Sequence, residues 1–222
     1  MRKLYIDNIR WITVVLVVLY HVIYMFNGIE TFGVIGPFSD VQYQDAFQYI
    51  VYPWFMLLLF AVSGMSARYE LVRRSEKEFI KKRTGKLLVP STLGLLVFWW
   101  ILGYYNLLIG GGLEQMAAVP KQVLFIIMAV SGIGPLWYIQ MLWFFSVLLI
   151  WVRRVEKDRL WKLGEKANVP FLVLFAIVIW GAAQILNTPM IVVYRFGIYG
   201  VGFFVGYFIF SQDEVMERLE KC

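Results

Sequence analysis

Residues 87–109 read LLVPSTLGLLVFWWILGYYNLLI and carry no charged side chain. A helix rises about 1.5 Å per residue, so about 20 apolar residues cross the roughly 30 Å hydrocarbon layer of a bilayer. This stretch is long enough to span. Five others share its character: 9–26, 47–67, 133–152, 169–186 and 190–210. Within hydrocarbon each must satisfy its own backbone N–H and C=O groups, which makes them helices. The expected fold is all-α, a polytopic bundle of about six transmembrane helices. A shorter apolar run, 123–130, cannot span alone. It reads as an interfacial or re-entrant piece, or as the bent start of the fourth span.

Composition agrees. Of the 222 residues, 60% are hydrophobic and only 16% charged, against the roughly 25% charged of soluble domains. A net charge of +6 could point to nucleic acid, but the positions of the basic residues argue for a membrane instead. Arg2, Lys3 and Arg10 lie at the start, and Arg218 and Lys221 in the tail. Arg68 to Lys86 crowd the link after the second span, and Arg153 to Lys166 the link after the fourth. The alternate links hold only Lys121, and Arg195 falls within the sixth apolar stretch. The positive-inside rule then puts both termini in the cytoplasm and the chain in the cell membrane. The opening MRKLYIDNIRW resembles the basic region of a signal peptide, but no small-residue cleavage site follows, so a retained first helix is expected. The single cysteine, Cys222, excludes an internal disulfide. GLLVFWWILG contains no small-xxx-small pattern, whereas glycines 197, 200, 202 and 206 would let the sixth helix pack closely.

The first constellation that could carry chemistry is RWITVVLVVLYH, residues 10–21, which holds the only histidine. Eleven residues turn a helix about 20° past three full turns, so Arg10 and His21 share a face about 16 Å apart along the axis. They cannot touch, but one elongated ligand could reach both. Ionisable groups inside a membrane default to functional hypotheses, and a neutral imidazole can take a proton from a hydroxyl. The plainer alternative is a histidine bonded to a neighbouring helix above an anchoring arginine. Asp7 is placed either to pair with Arg10 at i,i+3 or to cap the helix. FIKKRTGKLLVP, 79–90, puts basic residues at the mouth of the third span, where they suit phosphate capture or merely a solvated loop. Arg195, costly in a span unless paired or wet, is expected to line a cavity. Trp137, Tyr138 and Trp143 fit an interfacial aromatic belt.

Four stretches together, YIDNIRWITVVLVVLYH, FMLLLFAVSGMSA, FIKKRTGKLLVP and GPLWYIQML, resemble the membrane-bound acyltransferase 3 family. Arg10 and His21 match its arginine, ten residues and histidine; Phe60, Ser63 and Gly64 match its second-helix motif. The family's basic motif has two arginines, here Arg83 with Lys86 in the second place, and lysine lacks the planar fork of arginine. YPWFMLLLFAVSG and VVYRFGIYGVGFFVGY look more like the branch containing the glucans biosynthesis protein C than the peptidoglycan branch. The resemblance implies an O-acyltransferase that moves acetyl or succinyl from cytoplasmic acyl-CoA to a hydroxyl of an extracytoplasmic or membrane-linked carbohydrate. His21 would be the base, with Arg10, Arg83 and Lys86, aided by Asp7, toward the CoA phosphates. Arg195 toward the acceptor is a separate hypothesis. No permanently bound cofactor, metal or nucleic acid is expected; the partners are acyl-CoA, the carbohydrate and the lipid bilayer. Residues 1–222 are read as one domain, covering roughly the first two-thirds of a family domain, so the chain looks truncated and a second polypeptide could supply further helices. The competing readings are a small transporter or channel component lined by Arg10, His21 and Arg195, or an inactive truncated member acting as a scaffold. No inverted repeat supports the transporter.

Overall fold

Hydrocarbon offers no hydrogen-bond partners, so the backbone must close its bonds locally. The computed structural model describes residues 4–24, 26, 45–186 and 195–221. In chain order the helices are α1 (Leu4–Tyr24), α2 (Asp45–Leu71), α3 (Glu76–Arg83), α4 (Val89–Gly94), α5 (Trp100–Ile109), α6 (Gly112–Gln115), α7 (Lys121–Ser131), α8 (Leu136–Glu156), α9 (Arg159–Gly164), α10 (Val169–Leu186), α11 (Phe196–Val205) and α12 (Asp213–Glu220). Three π-helical turns complete them: Thr84–Leu88, Leu95–Trp99 and Gly206–Phe210. No strand occurs among the described residues, and the all-α, membrane-spanning architecture read from the sequence is what the chain adopts.

Among the described residues, four stretches are long and apolar enough to cross a membrane: Leu4–Tyr24, Ala46–Leu71, Glu76–Ile109 and Leu136–Glu156. The third is the stretch that opened the sequence reading. It runs through α3, α4 and α5 by way of two π turns, which keep the helix continuous past Pro90. Pro90 comes just after the first π turn, Thr84–Leu88, where the bonding pattern changes around the residue that has no N–H to donate. α10 and the α11–π stretch are apolar but shorter. The first five residues of the expected sixth span, 190–194, lie outside the described residues, as does all of 27–44. The short apolar run proves to be a separate helix, α7, and not the start of α8; at 11 residues it is about 16 Å long.

The described residues form two compact units. The first comprises 4–14, 53–83, 141–186 and 195–221. Its core is aromatic: Phe60 stacks on Tyr199 at 4.8 Å and meets Phe145 edge-on at 5.6 Å, and Phe145 stacks on Phe203 at 5.9 Å. Offset and edge-on pairs of this kind add to the burial of the rings themselves. α2 approaches the α11–π stretch until only glycine fits. A Cβ on Gly64 would strike the carbonyl of Phe203, and one on Gly206 the carbonyl of Ala61. Buried hydroxyls turn back onto their own helices: Thr13 donates to Ile9 O at 2.7 Å and Ser146 to Leu142 O at 2.6 Å.

The second unit comprises 15–24, 26, 45–52 and 84–140 of the described residues. Here α5 packs on α7, again through glycine. A Cβ on Gly103 would strike the Met128 carbonyl, and one on Gly132, just past α7, the Trp99 carbonyl. Asn106 Nδ2 donates to Ser131 O at 3.2 Å across the same contact. Thus the third span does pack through small residues, although it contains no small-xxx-small pattern; the second glycine comes from another helix. Leu93, Val97, Phe98 and Ile101 are exposed on this unit, as suits a surface facing lipid.

Candidate active site

Arg10 lies in the first unit, on the N-terminal half of α1. Its guanidinium donates to Ser66 Oγ at 2.5 Å, and the Ser66 hydroxyl donates in turn to Val62 O at 2.9 Å. Asp7 stands 3.8 Å away, one turn earlier on the same helix. Because α1 begins at Leu4, Asp7 lies inside its first turn and pairs with Arg10 rather than capping the helix end. α2, carrying Phe60, Ser63 and Gly64, thus also supplies the hydroxyl that orients Arg10. The Arg10 side chain is 41% exposed, so it can still meet a ligand.

The basic motif is organised by a carboxylate that its own residues do not contain. Glu70, near the end of α2, accepts Lys82 and Arg83 and lies 3.8 Å from Arg74; the Arg83 contact is 3.4 Å. Glu70 and Arg83 are 15% and 14% exposed. Arg83 also lies over the Phe79 ring at 5.0 Å. A second acid, Glu76 of α3, ties this helix to α8 by bonding Arg154 at 2.9 Å and lying 3.7 Å from Arg153. Glu70 lies outside every motif that the sequence singles out. The available signal was an isolated acid before a run of cations, at the point where α2 leaves the membrane. Lys86 falls in the second unit, in the π turn Thr84–Leu88, and is exposed.

His21 also belongs to the second unit, on the C-terminal half of α1, where the side chain is exposed. Its Nδ1 lies 2.7 Å from Val17 O, one turn back. A carbonyl can only accept, so this contact calls for a proton on Nδ1, and in the neutral form of such a ring Nε2 is the acceptor. Tyr20 packs edge-on to the imidazole at 5.5 Å and stacks on Tyr52 of α2 at 5.7 Å. Arg195 stands immediately before α11, as its N-cap residue. The apolar stretch expected to begin near 190 has its first five residues, 190–194, outside the described residues. Among the described residues no group of His, Cys, Asp and Glu side chains is placed to hold a metal.

Apolar spanning helices with charge gathered at their ends define an integral membrane protein. A family model described as an acyltransferase domain matches residues 3–216. The chain belongs to the acyltransferase 3 family and carries an acyltransferase domain. No curated protein and no solved structure matches it.

Proposed function

We propose that the chain transfers a short acyl group, acetyl or succinyl, from acyl-CoA to a hydroxyl of a carbohydrate. The observation that carries this reading is the 2.7 Å contact of His21 Nδ1 with Val17 O. With Nδ1–H committed to Val17 O, the lone pair on Nε2 is available to a substrate hydroxyl. The acceptor oxygen attacks the thioester carbonyl carbon while Nε2 takes the hydroxyl proton. The C–S bond then breaks, and CoA leaves as a thiolate that recovers a proton. Arg10, held by Ser66 and Asp7, and Arg83, in the same unit, meet the CoA phosphates. Arg195 orients the acceptor sugar. The charge bias of the links supports a plasma-membrane protein with both termini cytoplasmic, so that acyl-CoA arrives on the basic face and the acceptor on the other. The branch resemblance makes a glucan the first acceptor to assay.

The test is transfer of labelled acetyl or succinyl from its CoA ester by the purified chain in proteoliposomes. His21→Gln should lower the rate by about 10²–10⁴, the usual contribution of a general base. Transfer at the wild-type rate removes His21 from the chemistry. Arg195→Ala should raise the KM for acceptor and spare that for acyl-CoA; unchanged kinetics remove its role.

A further inference from the structure

We infer that the first unit binds one acyl chain of an anionic phospholipid, in a slot independent of the groups assigned to acyl transfer. The slot is a cavity of about 320 Å³ walled by α8, α9, α10 and the α11–π stretch. Its lining includes Val152, Leu163, Phe171, Val178, Phe204 and Phe208, and every residue that lines it is Val, Leu, Ile, Phe or Gly. Water needs two to four polar partners to occupy a cavity, and this lining offers no polar side chain. A hydrocarbon chain needs none.

The slot has a direction. Leu160, Leu163 and Gly164 present one face of α9, while Phe171, Phe175 and Val178 follow at i, i+4 and i+7 along α10. From Phe171 to Val178 is about 10 Å along that helix, and from Val201 to Ile209 about 12 Å. The cavity therefore runs inward from the short helix α9 along two apolar helices, as an acyl tail runs inward from its headgroup. The turn before α9 takes left-handed backbone at Lys157 and Asp158, with φ of 47° and 62°, and this folds α9 back over the slot.

Charge at that end selects the headgroup. Arg153 and Arg154 are paired with Glu76, and the Glu156 carboxylate accepts the Leu160 N–H at 2.8 Å. Lys157, Arg159, Lys162 and Lys166 are exposed and have no carboxylate partner among the described residues. Four cations outside any ion pair, outnumbering Asp158 and Glu165 in the same segment, complement at the shallow end of an apolar slot a lipid phosphate whose tail fills it. Positive charge on this side of a membrane protein has a general orienting role. The slot adds a requirement for chain length that orientation alone does not impose.

The experiment is native mass spectrometry of the full chain released from neutral detergent after incubation with defined lipids. Palmitoyl-oleoyl phosphatidylglycerol should be retained at one per chain, well above palmitoyl-oleoyl phosphatidylcholine. Dihexanoyl phosphatidylglycerol, with the same headgroup and short tails, should be lost. Each basic side chain near an anionic headgroup is worth about fivefold, so Arg159→Gln with Lys162→Gln should weaken retention by about 25-fold. Val178→Trp fills the deep end and should abolish retention of the long-chain lipid. Equal retention of the two long-chain headgroups overturns the charge assignment. Equal retention of long and short tails, which needs no variant, overturns the slot. A protein dimer in place of a lipid adduct assigns the slot to a second copy and likewise refutes the proposal.

Discussion

Replacing Glu70 by Gln keeps the shape of the side chain and removes the one charge that Lys82, Arg83 and Arg74 share. Removing one member of a fully buried ion pair costs about 3–5 kcal/mol, and a surface pair is worth about 0.2–1 kcal/mol. Glu70 and Arg83 are 15% and 14% exposed and Lys82 is 34% exposed, so the cluster falls between these limits; Arg74, at 47%, adds little. A loss of about 2 kcal/mol is expected. For a domain of this size that corresponds to a fall of roughly 4–8 °C in the midpoint of thermal unfolding in detergent. The same substitution removes the Glu70 charge from beside Arg83 and Lys82. If these side chains meet the CoA phosphates, saturating acyl-CoA must protect Glu70→Gln more than it protects the wild type. Two results refute the reasoning. An unchanged midpoint shows that the cluster carries no energy, and a lowered midpoint with no added protection shows that these cations do not bind phosphate.

Gly64→Ala places a methyl group against the Phe203 carbonyl, where backbone and not a flexible tip must yield. Overpacking of this kind costs about 1–3 kcal/mol, read as a lower midpoint, and Gly206→Ala should act likewise from the other side of the contact. Gly132→Ala tests the second unit in the same way, through the Trp99 carbonyl, and its effect should add to that of Gly64→Ala because the two contacts lie in separate units. Ser66→Ala removes the hydroxyl that orients Arg10 and should raise the KM for acyl-CoA with little change in kcat; an effect confined to kcat would contradict the assigned role.

Spanning helices are legible because hydrocarbon imposes one rule on every residue of a long segment. LLVPSTLGLLVFWWILGYYNLLI could be read as a helix without knowledge of any neighbour, and the chain adopts helix there even past Pro90. The glycines of the sixth span were legible for a similar reason, since four of them fall close together in one segment. The contact of Gly103 with α7 was not, because half of it comes from a different helix. Glu70 was hidden in the same way. A search for phosphate ligands looks for cations, whereas what holds Arg83 in place is an acid on another helix. Of His21, the sequence showed its position in the span but not which ring nitrogen is free. That depends on a 2.7 Å distance to a carbonyl one turn back. For Arg195, the described helix begins just after it, and 190–194, the start of the apolar stretch, lie outside the described residues.

The π turn Gly206–Phe210 bonds its backbone five residues apart instead of four, so carbonyls near its end look elsewhere for donors. Ser211 Oγ donates to Tyr207 O at 2.5 Å, and Gln212 Nε2 donates both to Phe208 O at 2.5 Å and to Trp161 O of α9 at 3.1 Å. Gln212 is 6% exposed beside buried apolar neighbours, and a hydropathy score alone would mark it for replacement by leucine. That change would release two carbonyls at once and unfasten α9 from the end of the last span. For anyone engineering this protein toward greater stability, the polar residue at that junction is therefore one to keep, and greasiness at membrane depth is a poor guide to what holds the bundle closed.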